Sequence, residues 1–328
     1  MNSKVPALMI LLCFAMRAET LFYEKLPGGA NDIGIGPNGA TWVVARGAAW
    51  ADSAVYRWNG TTFVPEAGVN GVGITVDSVG LPWLVTATGS VYRRTTTAWQ
   101  KLPGKGMDIG AGADGSVWLI GWPGAPGEIP TANAGIYRWN GATWAEVGGA
   151  ARRVAVDPTG VAWIVTGAGD VFRRSGEGWE KLPGRGSDLA CGPEGSVWLT
   201  GYVAGGLNNR PVYRWNGTAW EGTIGEAYRL AVAPTGLPWV VTSGGDIFQM
   251  LRLETPQLAV ADPGGVPRRF SVEFSSQALV TYRLHRRADF DAPWTTLSTI
   301  TGNGQAIRLN DDSVTAGSGF YRLEVTPP

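Results

Sequence analysis

Histidine and cysteine are scarce in this sequence of 328 residues, which contains one histidine and two cysteines. With His285 alone, a Ser-His-Asp triad in the N-terminal repeats and a zinc site built from several histidines are both excluded. Cys13 lies in a predicted N-terminal leader, so the mature chain keeps only Cys191 and cannot form an internal disulfide. We expect His285 to lie on the surface and Cys191 to be a buried small hydrophobe.

Neither sign of charge is in excess, since 27 basic and 27 acidic side chains balance. This balance argues against nucleic acid or an anionic membrane as a partner. The apolar run at residues 5–16 is too short to span a bilayer. Together with Lys4 before it and Arg17-Ala18 after it, the run predicts a signal peptide over residues 1–18. We therefore expect a secreted or extracytoplasmic protein, either periplasmic or at the cell surface, with no membrane span.

Glycine and tryptophan are abundant, with 48 and 16 copies. Many tight turns and large aromatic anchors are typical of short strands joined by hairpins rather than of helices. The sequence therefore predicts an all-β protein.

Internal repeats organise most of the chain. The motif Lys-Leu-Pro-Gly begins at Lys25, Lys101 and Lys181. A tryptophan follows a short turn in six successive repeat units, at Trp42, Trp83, Trp118, Trp163, Trp198 and Trp239. Their spacing alternates between long and short, so units 1 to 6 form three pairs in which the odd units are the long ones. A repeat of this kind marks an array of small units that must pack on one another.

Each unit contains four strand-like runs, which in unit 5 are residues 187–191, 196–200, 212–215 and 218–221. Asn-Gly pairs that favour tight hairpins separate the last two runs of the odd units, at Asn59, Asn140 and Asn216. Six units of four antiparallel strands predict a six-bladed β-propeller over residues 19–250. The last unit lacks a final strand, and residues 21–24 match the missing one, so we expect them to form the outermost strand of blade 6.

The unit Trp-x-Lys-Leu-Pro-Gly, followed by Gly-x-Val-Trp and Val-Tyr-Arg-Trp, resembles the tectonin family of six-bladed β-propeller lectins over about residues 20–250. The resemblance implies a carbohydrate-binding protein. This sequence departs from the family pattern because its odd units carry extra loop residues. The repeat ends after Met250, and residues 251–328 show six further strand-like runs, which predict a small C-terminal β-sandwich module for attachment or contact with a protein partner.

The long loops of the odd units, residues 45–54, 121–135 and 201–211, each carry one large aromatic residue. These rings could stack on sugar faces while nearby polar groups bind hydroxyls, and the Lys-Leu-Pro-Gly loops should lie on the same side. The alternative is that each ring folds down onto its own loop. The candidate ligand-binding residues are Trp50, Trp122, Tyr202, Asp52, Glu128, Asn208, Asn209, Lys25, Lys101 and Lys181.

Asp32, Asp108 and Asp188 occupy one position in the three odd units. Three carboxylates around a channel could bind calcium. The favoured interpretation is that each carboxylate caps its own loop through backbone N–H groups, so no metal is assigned.

No acid and base stand in a catalytic arrangement, so we expect a non-enzymatic protein with no catalytic residues and no cofactor. The predicted function is binding of surface glycans or glycoconjugates by a secreted lectin-like protein. The alternative is a non-catalytic scaffold for protein interactions at the cell surface.

Overall fold

The fold is that of a computed structural model, which describes residues 19–124, 132–203, 208–261, 270–289, 291–311 and 320–328. The described residues form antiparallel sheets, and the all-β prediction is confirmed. The chain divides into two bodies. Tyr23–Leu251 is the repeat body, and Arg252–Pro328 with the described residues before Tyr23 is the C-terminal body. The predicted leader, residues 1–18, lies outside the described residues.

The first half of the repeats contains a four-stranded sheet, β2-β3-β4-β5, and a seven-stranded sheet in the order β12-β11-β10-β9-β8-β7-β6. The first strand, β1, belongs to another sheet. The strands are β1 (Leu21–Leu26), β2 (Ala30–Ile35), β3 (Thr41–Ala45), β4 (Ser53–Trp58), β5 (Phe63–Gly71), β6 (Gly73–Val76), β7 (Pro82–Val85), β8 (Ser90–Arg94), β9 (Trp99–Ala111), β10 (Val117–Gly121), β11 (Ala134–Trp139) and β12 (Trp144–Ala151).

The second half repeats this pattern with a seven-stranded sheet, β13 to β19 in chain order, and a four-stranded sheet, β1-β22-β21-β20. Here the strands are β13 (Arg153–Val156), β14 (Ala162–Val165), β15 (Asp170–Ser175), β16 (Gly178–Cys191), β17 (Val197–Gly201), β18 (Arg210–Trp215), β19 (Trp220–Ala227), β20 (Arg229–Val232), β21 (Pro238–Val241) and β22 (Ile247–Arg252).

Two long strands each belong to two repeat units. The first part of β9 pairs with β8 up to Lys105, and its second part pairs with β10 from Gly106 onward. Strand β16 makes the same change of partner between Arg185 and Gly186. At the junction between units 6 and 1 the corresponding strand is divided into β1 and β2, which lie in different sheets.

The N-terminal strand pairs with the last strand of the repeats, as the sequence predicts. Strand β1 lies beside β22 in its sheet. Lys25 Nζ lies 2.9 Å from a carboxylate oxygen of Asp246, and the rings of Tyr23 and Phe248 meet edge to face at 6.3 Å. The chain therefore completes its last repeat sheet with its first strand.

The first strands of the six units contact one another in a closed ring. Strand β2 contacts β6 and β20, and the intervening contacts run β6 to β9, β9 to β13, β13 to β16 and β16 to β20. The backbones approach closely in this ring, since a Cβ at Gly110 would lie 2.8 Å from the carbonyl oxygen of Val154. Glycine is required there because any side chain would push two strands apart.

The six repeat tryptophans are buried, as expected for core residues. Trp42 Nε1 donates to the Gly80 carbonyl at 3.2 Å, and Trp198 Nε1 donates to the Gly236 carbonyl at 3.0 Å. These bonds tie an odd unit to the turn of the next unit. In units 1 to 5 a guanidinium from the neighbouring strand stacks over the tryptophan, as in the pair Arg138 and Trp118 at 5.7 Å.

The C-terminal body contains two three-stranded antiparallel sheets, β23-β24-β27 and β26-β25-β28. Aromatic rings join strands of the two sheets, since Phe270 stacks on Tyr321 at 3.6 Å. The strands are β23 (Ala259–Ala261), β24 (Phe270–Ser275), β25 (Thr281–Arg287), β26 (Thr295–Thr301), β27 (Ala306–Asp311) and β28 (Phe320–Thr326).

The expectation of a surface histidine is wrong. His285 is 7% exposed, and its ring nitrogens lie 2.8 Å from a carboxylate oxygen of Glu324 and 3.0 Å from Thr296 Oγ1. The neighbouring arginines indicated a solvated strand, but in a β-strand adjacent side chains point to opposite faces. Cys191 is partly buried against a hydrophobic cluster, and burial raises the pKa of its thiol.

Candidate functional site

Each odd unit has an aspartate in the strand that it contributes to the closed ring: Asp32 in β2, Asp108 in β9 and Asp188 in β16. Each carboxylate accepts a hydrogen bond from a backbone N–H of the following even unit: Asp32 from Ile74 at 2.8 Å, Asp108 from Val154 at 2.7 Å and Asp188 from Leu230 at 3.2 Å. The expectation that each would cap its own loop is therefore wrong. Adjacent first strands lie close enough in the ring for a short side chain to reach the next unit.

Two arginines connect these aspartates. Arg153 lies 3.0 Å from a carboxylate oxygen of Asp108 and 3.7 Å from one of Asp188. Arg229 lies 3.5 Å from Asp188 and 3.6 Å from Asp32. Among the described residues, Asp188 thus has two guanidinium partners within 4 Å, whereas Asp32 and Asp108 have one each. Sequence reasoning did not single out these arginines, although Arg153 and Arg229 each stand at the start of an even unit.

Burial and the neighbouring carboxylates change the acidity of this cluster. Burial is the largest cause that raises the pKa of Asp32 to about 7, and the charges of Asp188 and Asp108 add to the rise while Arg229 opposes it. The pKa of Asp108 is raised as well, again chiefly by burial. The attraction of the carboxylates outweighs burial at Arg229 and raises the pKa of that guanidinium. Asp32 therefore gains and loses its proton near neutral pH.

A cavity of about 200 Å³ lies next to Asp32. The walls combine aromatic rings with guanidinium, amide and hydroxyl groups. The lining includes Asn31, Asp32, Trp50, Val72, Gly73, Met107, Arg152, Arg153, Tyr228, Arg229, Thr242 and Ser243. This cavity brings two of the sequence-predicted residues, Trp50 and Asp32, to one place.

Trp50 enters the cavity wall from a loop with unusual backbone geometry. Its φ of 56° is in the left-handed region, which is rare for a bulky side chain. The indole Nε1 donates to the Ala87 carbonyl at 3.2 Å, and the ring stacks on Trp122 at 5.9 Å between centroids with 25° between planes. These contacts hold one face of the half-buried ring against protein.

Trp122 and Tyr202 directly follow the second strand of their units, and the residue at that place in unit 1 is Arg46 rather than Trp50. A Cβ at Gly89 would lie 2.9 Å from the Trp122 ring, and one at Gly169 would overlap Tyr202. Both rings therefore pack on a turn of the preceding unit. The guanidinium of Arg185 covers Tyr202 at 4.0 Å from the ring centroid.

Asp52 and Asn209 anchor loops to neighbouring units. Asp52 Oδ1 accepts from the Ala87 N–H at 2.6 Å, and Asn209 Oδ1 accepts from the Ser243 N–H at 2.6 Å. Asn133, which sequence reasoning missed, accepts from the Gly167 N–H at the same distance. The shared signal is a short polar residue directly before the third strand of each odd unit. The Asn208 carbonyl accepts from Arg210, and Glu128 lies outside the described residues.

The three lysines occupy outer strands. Lys25 and Lys181 pair with carboxylates of Asp246 and Asp170 at 2.9 and 3.0 Å, and Lys101 Nζ lies 6.0 Å from the Tyr92 ring. None of them lines the cavity beside Asp32. Within the described ranges, no group of three acidic, histidine or cysteine side chains could hold a metal ion, and no helix could cross a membrane.

No protein-family model matches the chain, and no curated protein matches it. Solved structures that resemble it include the WD40 β-propeller domain of Doa1, with 12% identity over 71% of this chain and 98% of that chain and a TM-score of 0.45. An acylaminoacyl peptidase of Pyrococcus horikoshii matches at 8% identity over 75% and 50%, with a TM-score of 0.40. A glycoside hydrolase matches at 9% identity over 92% and 97%, with a TM-score of 0.32. At such values the comparisons do not decide whether the chain is an enzyme.

Proposed function

We propose that this chain is a secreted, non-enzymatic carbohydrate-binding protein. Its repeat body is a six-bladed, tectonin-like β-propeller, and its C-terminal body is a small β-sandwich. The blade count is supported by the closed ring of first strands, β2, β6, β9, β13, β16 and β20, each continued by an antiparallel meander. Such repetition leaves few open sheet edges.

The observation that carries the function is the cavity beside Asp32. It offers the Trp50 ring together with the amide of Asn31, the carboxylate of Asp32 and the hydroxyls of Thr242 and Ser243. A sugar needs this combination, because its C–H face packs on an aromatic ring while its hydroxyls need donors and acceptors. The volume of about 200 Å³ suits one terminal sugar residue rather than a longer chain.

The backbone at Trp50 also supports a binding role. A left-handed conformation of a bulky residue costs about 1–3 kcal/mol and persists only where surrounding contacts hold it, most often at functional sites. The Ala87 hydrogen bond and the Trp122 stack supply those contacts. We therefore place the sugar at Trp50, with Trp122 as a positioning residue.

A glycan array probed with the mature chain tests the function. For each sugar that binds, calorimetric titration should show at least a tenfold loss of affinity in Trp50→Ala, about 1.4 kcal/mol. Tyr202→Ala is the matched control, because it removes a half-buried ring outside the cavity, and it should retain wild-type affinity. A blank array, or a Trp50→Ala variant that binds as tightly as the wild type, would contradict the proposal. Equal losses in both variants would point instead to equivalent sites on the odd-unit loops.

A further inference from the structure

Three guanidiniums line the cavity beside Asp32. They belong to Arg152, Arg153 and Arg229, and among the described lining residues Asp32 supplies the one carboxylate. The other two aspartates of the cluster are not part of this lining. The cavity wall therefore carries an excess of positive charge, although the basic and acidic side chains of the whole chain balance.

Part of this wall comes from the starts of the three even units. In each of them, the N–H of the residue before the first strand donates to a valine carbonyl of the second strand at 2.8 Å: Val72 to Val85, Arg152 to Val165 and Tyr228 to Val241. Each of these residues lines the cavity together with the residue after it, so the equivalent pairs are Val72-Gly73, Arg152-Arg153 and Tyr228-Arg229. Unit 2 thus contributes no charge and little bulk, whereas units 4 and 6 contribute three guanidiniums and a phenol.

Arg229 has ion pairs but makes no hydrogen bond with its side chain among the described residues. Its nitrogens lie 3.5 Å from a carboxylate oxygen of Asp188 and 3.6 Å from one of Asp32. Hydrogen bonds from nitrogen to oxygen are shorter, at about 2.7–3.2 Å. The Arg229 side chain is 13% exposed, and buried donors in proteins are normally satisfied. A ligand with acceptor oxygens in the cavity would supply the missing hydrogen bonds.

The arginines of the wall also repel one another. The pKa of Arg152 is lowered, chiefly by burial and further by the charges of Arg153 and Arg229. Arginine nevertheless keeps its charge, so proton loss does not relieve this repulsion. An anion among the three guanidiniums would relieve it.

We propose that the sugar held at Trp50 is an acidic one, whose carboxylate or sulfate group accepts hydrogen bonds from Arg229, while Arg152 and Arg153 supply further positive charge. This proposal rests on the carbohydrate-binding function proposed above and names the class of sugar. The planar guanidinium presents paired N–H donors that match two oxygens of such a group, and bonds of this kind are about twice as strong as neutral ones.

Asp32 opposes an anion in the cavity when it is ionised. Burial raises its pKa to about 7, the charges of Asp188 and Asp108 add to the rise, and Arg229 lowers it. The charged groups that face Asp32 from other strands and from the cavity wall are Arg229, Asp188, Asp108, Arg152 and Arg153. A bound anion favours the neutral carboxyl, so binding should be accompanied by uptake of a proton, and the affinity should fall as the pH rises through 7.

Matched sugars test the charge requirement on the full mature chain. Titration calorimetry at pH 6 compares the methyl glycosides of glucuronic and galacturonic acid with those of glucose and galactose, which carry a hydroxymethyl group in place of the carboxylate. At least one acid should bind at least about tenfold more tightly than its neutral partner. The 6-sulfates of glucose and galactose form the sulfate arm, and a preference for either anion supports the proposal. Equal binding of acidic and neutral sugars, or no binding of any acidic sugar, would overturn it.

Variants of the wall test the residues. Arg152→Gln should weaken binding of the acidic sugar at least about tenfold. The equivalent positions hold Val72 and Tyr228, so an uncharged residue is compatible with the fold there. Arg229→Lys keeps the charge but loses the paired donors, and it should weaken binding as well.

The matched control for these variants is Arg173→Gln. It removes a guanidinium that pairs with Glu180 at 2.7 Å outside the cavity, and it should bind as the wild type does. Melting temperatures verify that each variant is folded. Wild-type affinity in both Arg152→Gln and Arg229→Lys would contradict the assignment.

The pH dependence tests the part that Asp32 plays. Wild-type affinity for the acidic sugar should fall by at least about threefold from pH 6 to pH 8, because the sugar carboxyl stays ionised over this range while Asp32 becomes charged. Asp32→Asn should bind with the same affinity at both values, and at pH 8 more tightly than the wild type. Loss of acidic-sugar binding in Asp32→Asn would overturn the proposal, because it would mean that the Asp32 carboxylate attracts the ligand.

The acidic-sugar proposal and the carbohydrate-binding proposal fail in different ways. Propionate and its neutral counterpart propionamide are probes without a sugar ring. Preferential binding of propionate, with no sugar bound, would leave an anion site and remove the carbohydrate-binding function. Binding of neutral sugars that requires Trp50 and is unchanged in Arg152→Gln, with no preference for acidic ones, would keep that function and overturn the acidic sugar.

Discussion

At the scale of the residue, identical side chains in equivalent positions have different surroundings. Asp188 lies near two arginines, whereas Asp32 lies near one and faces the cavity. Strands β13 and β20 begin with Arg153 and Arg229, whereas the equivalent strand β6 begins with Gly73, which has no charged side chain to place beside Asp32. Burial is the largest cause of the raised pKa of Asp32, and the guanidinium of Arg229, which belongs to another repeat unit, opposes the rise.

The raised pKa of Asp32 predicts a pH-dependent stability. The folded state holds a proton on Asp32 up to about pH 7, whereas the unfolded carboxyl loses it near its ordinary pKa of 3.8. This contribution is present below pH 4 and is lost as the pH rises to 7, and each tenfold difference in proton affinity between the two states corresponds to about 1.4 kcal/mol. The difference in melting temperature, Asp32→Asn minus wild type, should therefore increase between pH 4 and pH 8. Differential scanning calorimetry across this range measures it.

The control for that series is Asp246→Asn, which removes an exposed carboxylate paired with Lys25. It should follow the wild-type pH profile, because exposed ion pairs contribute little to stability. A constant difference between Asp32→Asn and wild type over pH 4 to 8 would show that Asp32 is not titrating in this window.

Two buried tryptophans predict unequal costs for the same substitution. Trp198 Nε1 donates to Gly236, whereas Trp118 Nε1 has no hydrogen-bond partner among the described residues. Trp198→Phe should therefore destabilise the chain by about 1 kcal/mol more than Trp118→Phe, because it alone removes a hydrogen bond, leaving the Gly236 carbonyl with only the longer bond from Ser196 Oγ at 3.3 Å among the described residues. Urea unfolding measures the difference, and equal costs would mean that the Gly236 bond contributes nothing net.

At the scale of the element, the strands that join one repeat unit to the next hold the repeat body together. Strands β9 and β16 each pair with a strand of one unit in their first part and with a strand of the next unit in their second part. Separating the two units at either place would therefore disrupt a hydrogen-bonded sheet. The third junction is between β1 and β2, where the chain turns through Gly28 with a φ of 89°. There the last unit depends on β1, the strand farthest from it in sequence.

Deletion of the chain through Lys25 removes most of β1 and should lower the melting temperature and broaden the transition. It exposes the edge of β22 and removes Phe22, which is 5% exposed. Burying such a ring is worth about 1.5–3 kcal/mol. The predicted mature chain, which begins at Glu19, is the reference against which the deletion is compared. Unchanged, cooperative melting of the shorter chain would contradict the role of β1 in completing the sheet.

At the scale of the whole molecule, three equivalent loop anchors tie odd units to the units that follow. Asp52, Asn133 and Asn209 each accept a backbone hydrogen bond at 2.6 Å. They lie in three different odd units and share no hydrogen-bond partner. Their contributions should therefore be independent.

Alanine at each anchor should cost about 0.5–1 kcal/mol, and the triple variant should lose about the sum. Asn208→Ala is the matched control, because Arg210 donates to the backbone carbonyl of Asn208, which alanine keeps, and not to its side chain. Chemical denaturation of the four single variants and the triple variant measures this. A triple variant no less stable than one single variant would mean that the anchors do not act independently.

The sequence by itself determined the features that depend on local chemistry and on period: the all-β class, the repeat units, the buried tryptophans and the pairing of the first strand with the last. Glycine turns, Asn-Gly hairpins and recurring tryptophans act over a few residues or one unit, so they can be recognised along the chain.

Only the tertiary structure decided which distant residues meet. It directed Asp32, Asp108 and Asp188 to the next unit, placed two arginines between them, and brought Trp50 rather than Lys25 or Tyr202 to the cavity. Such contacts join residues from different units and depend on the closeness of strands in the ring, which no local pattern encodes. Gly73 is the clearest example, because only the tertiary structure shows that it occupies the position that Arg153 and Arg229 occupy in the equivalent strands.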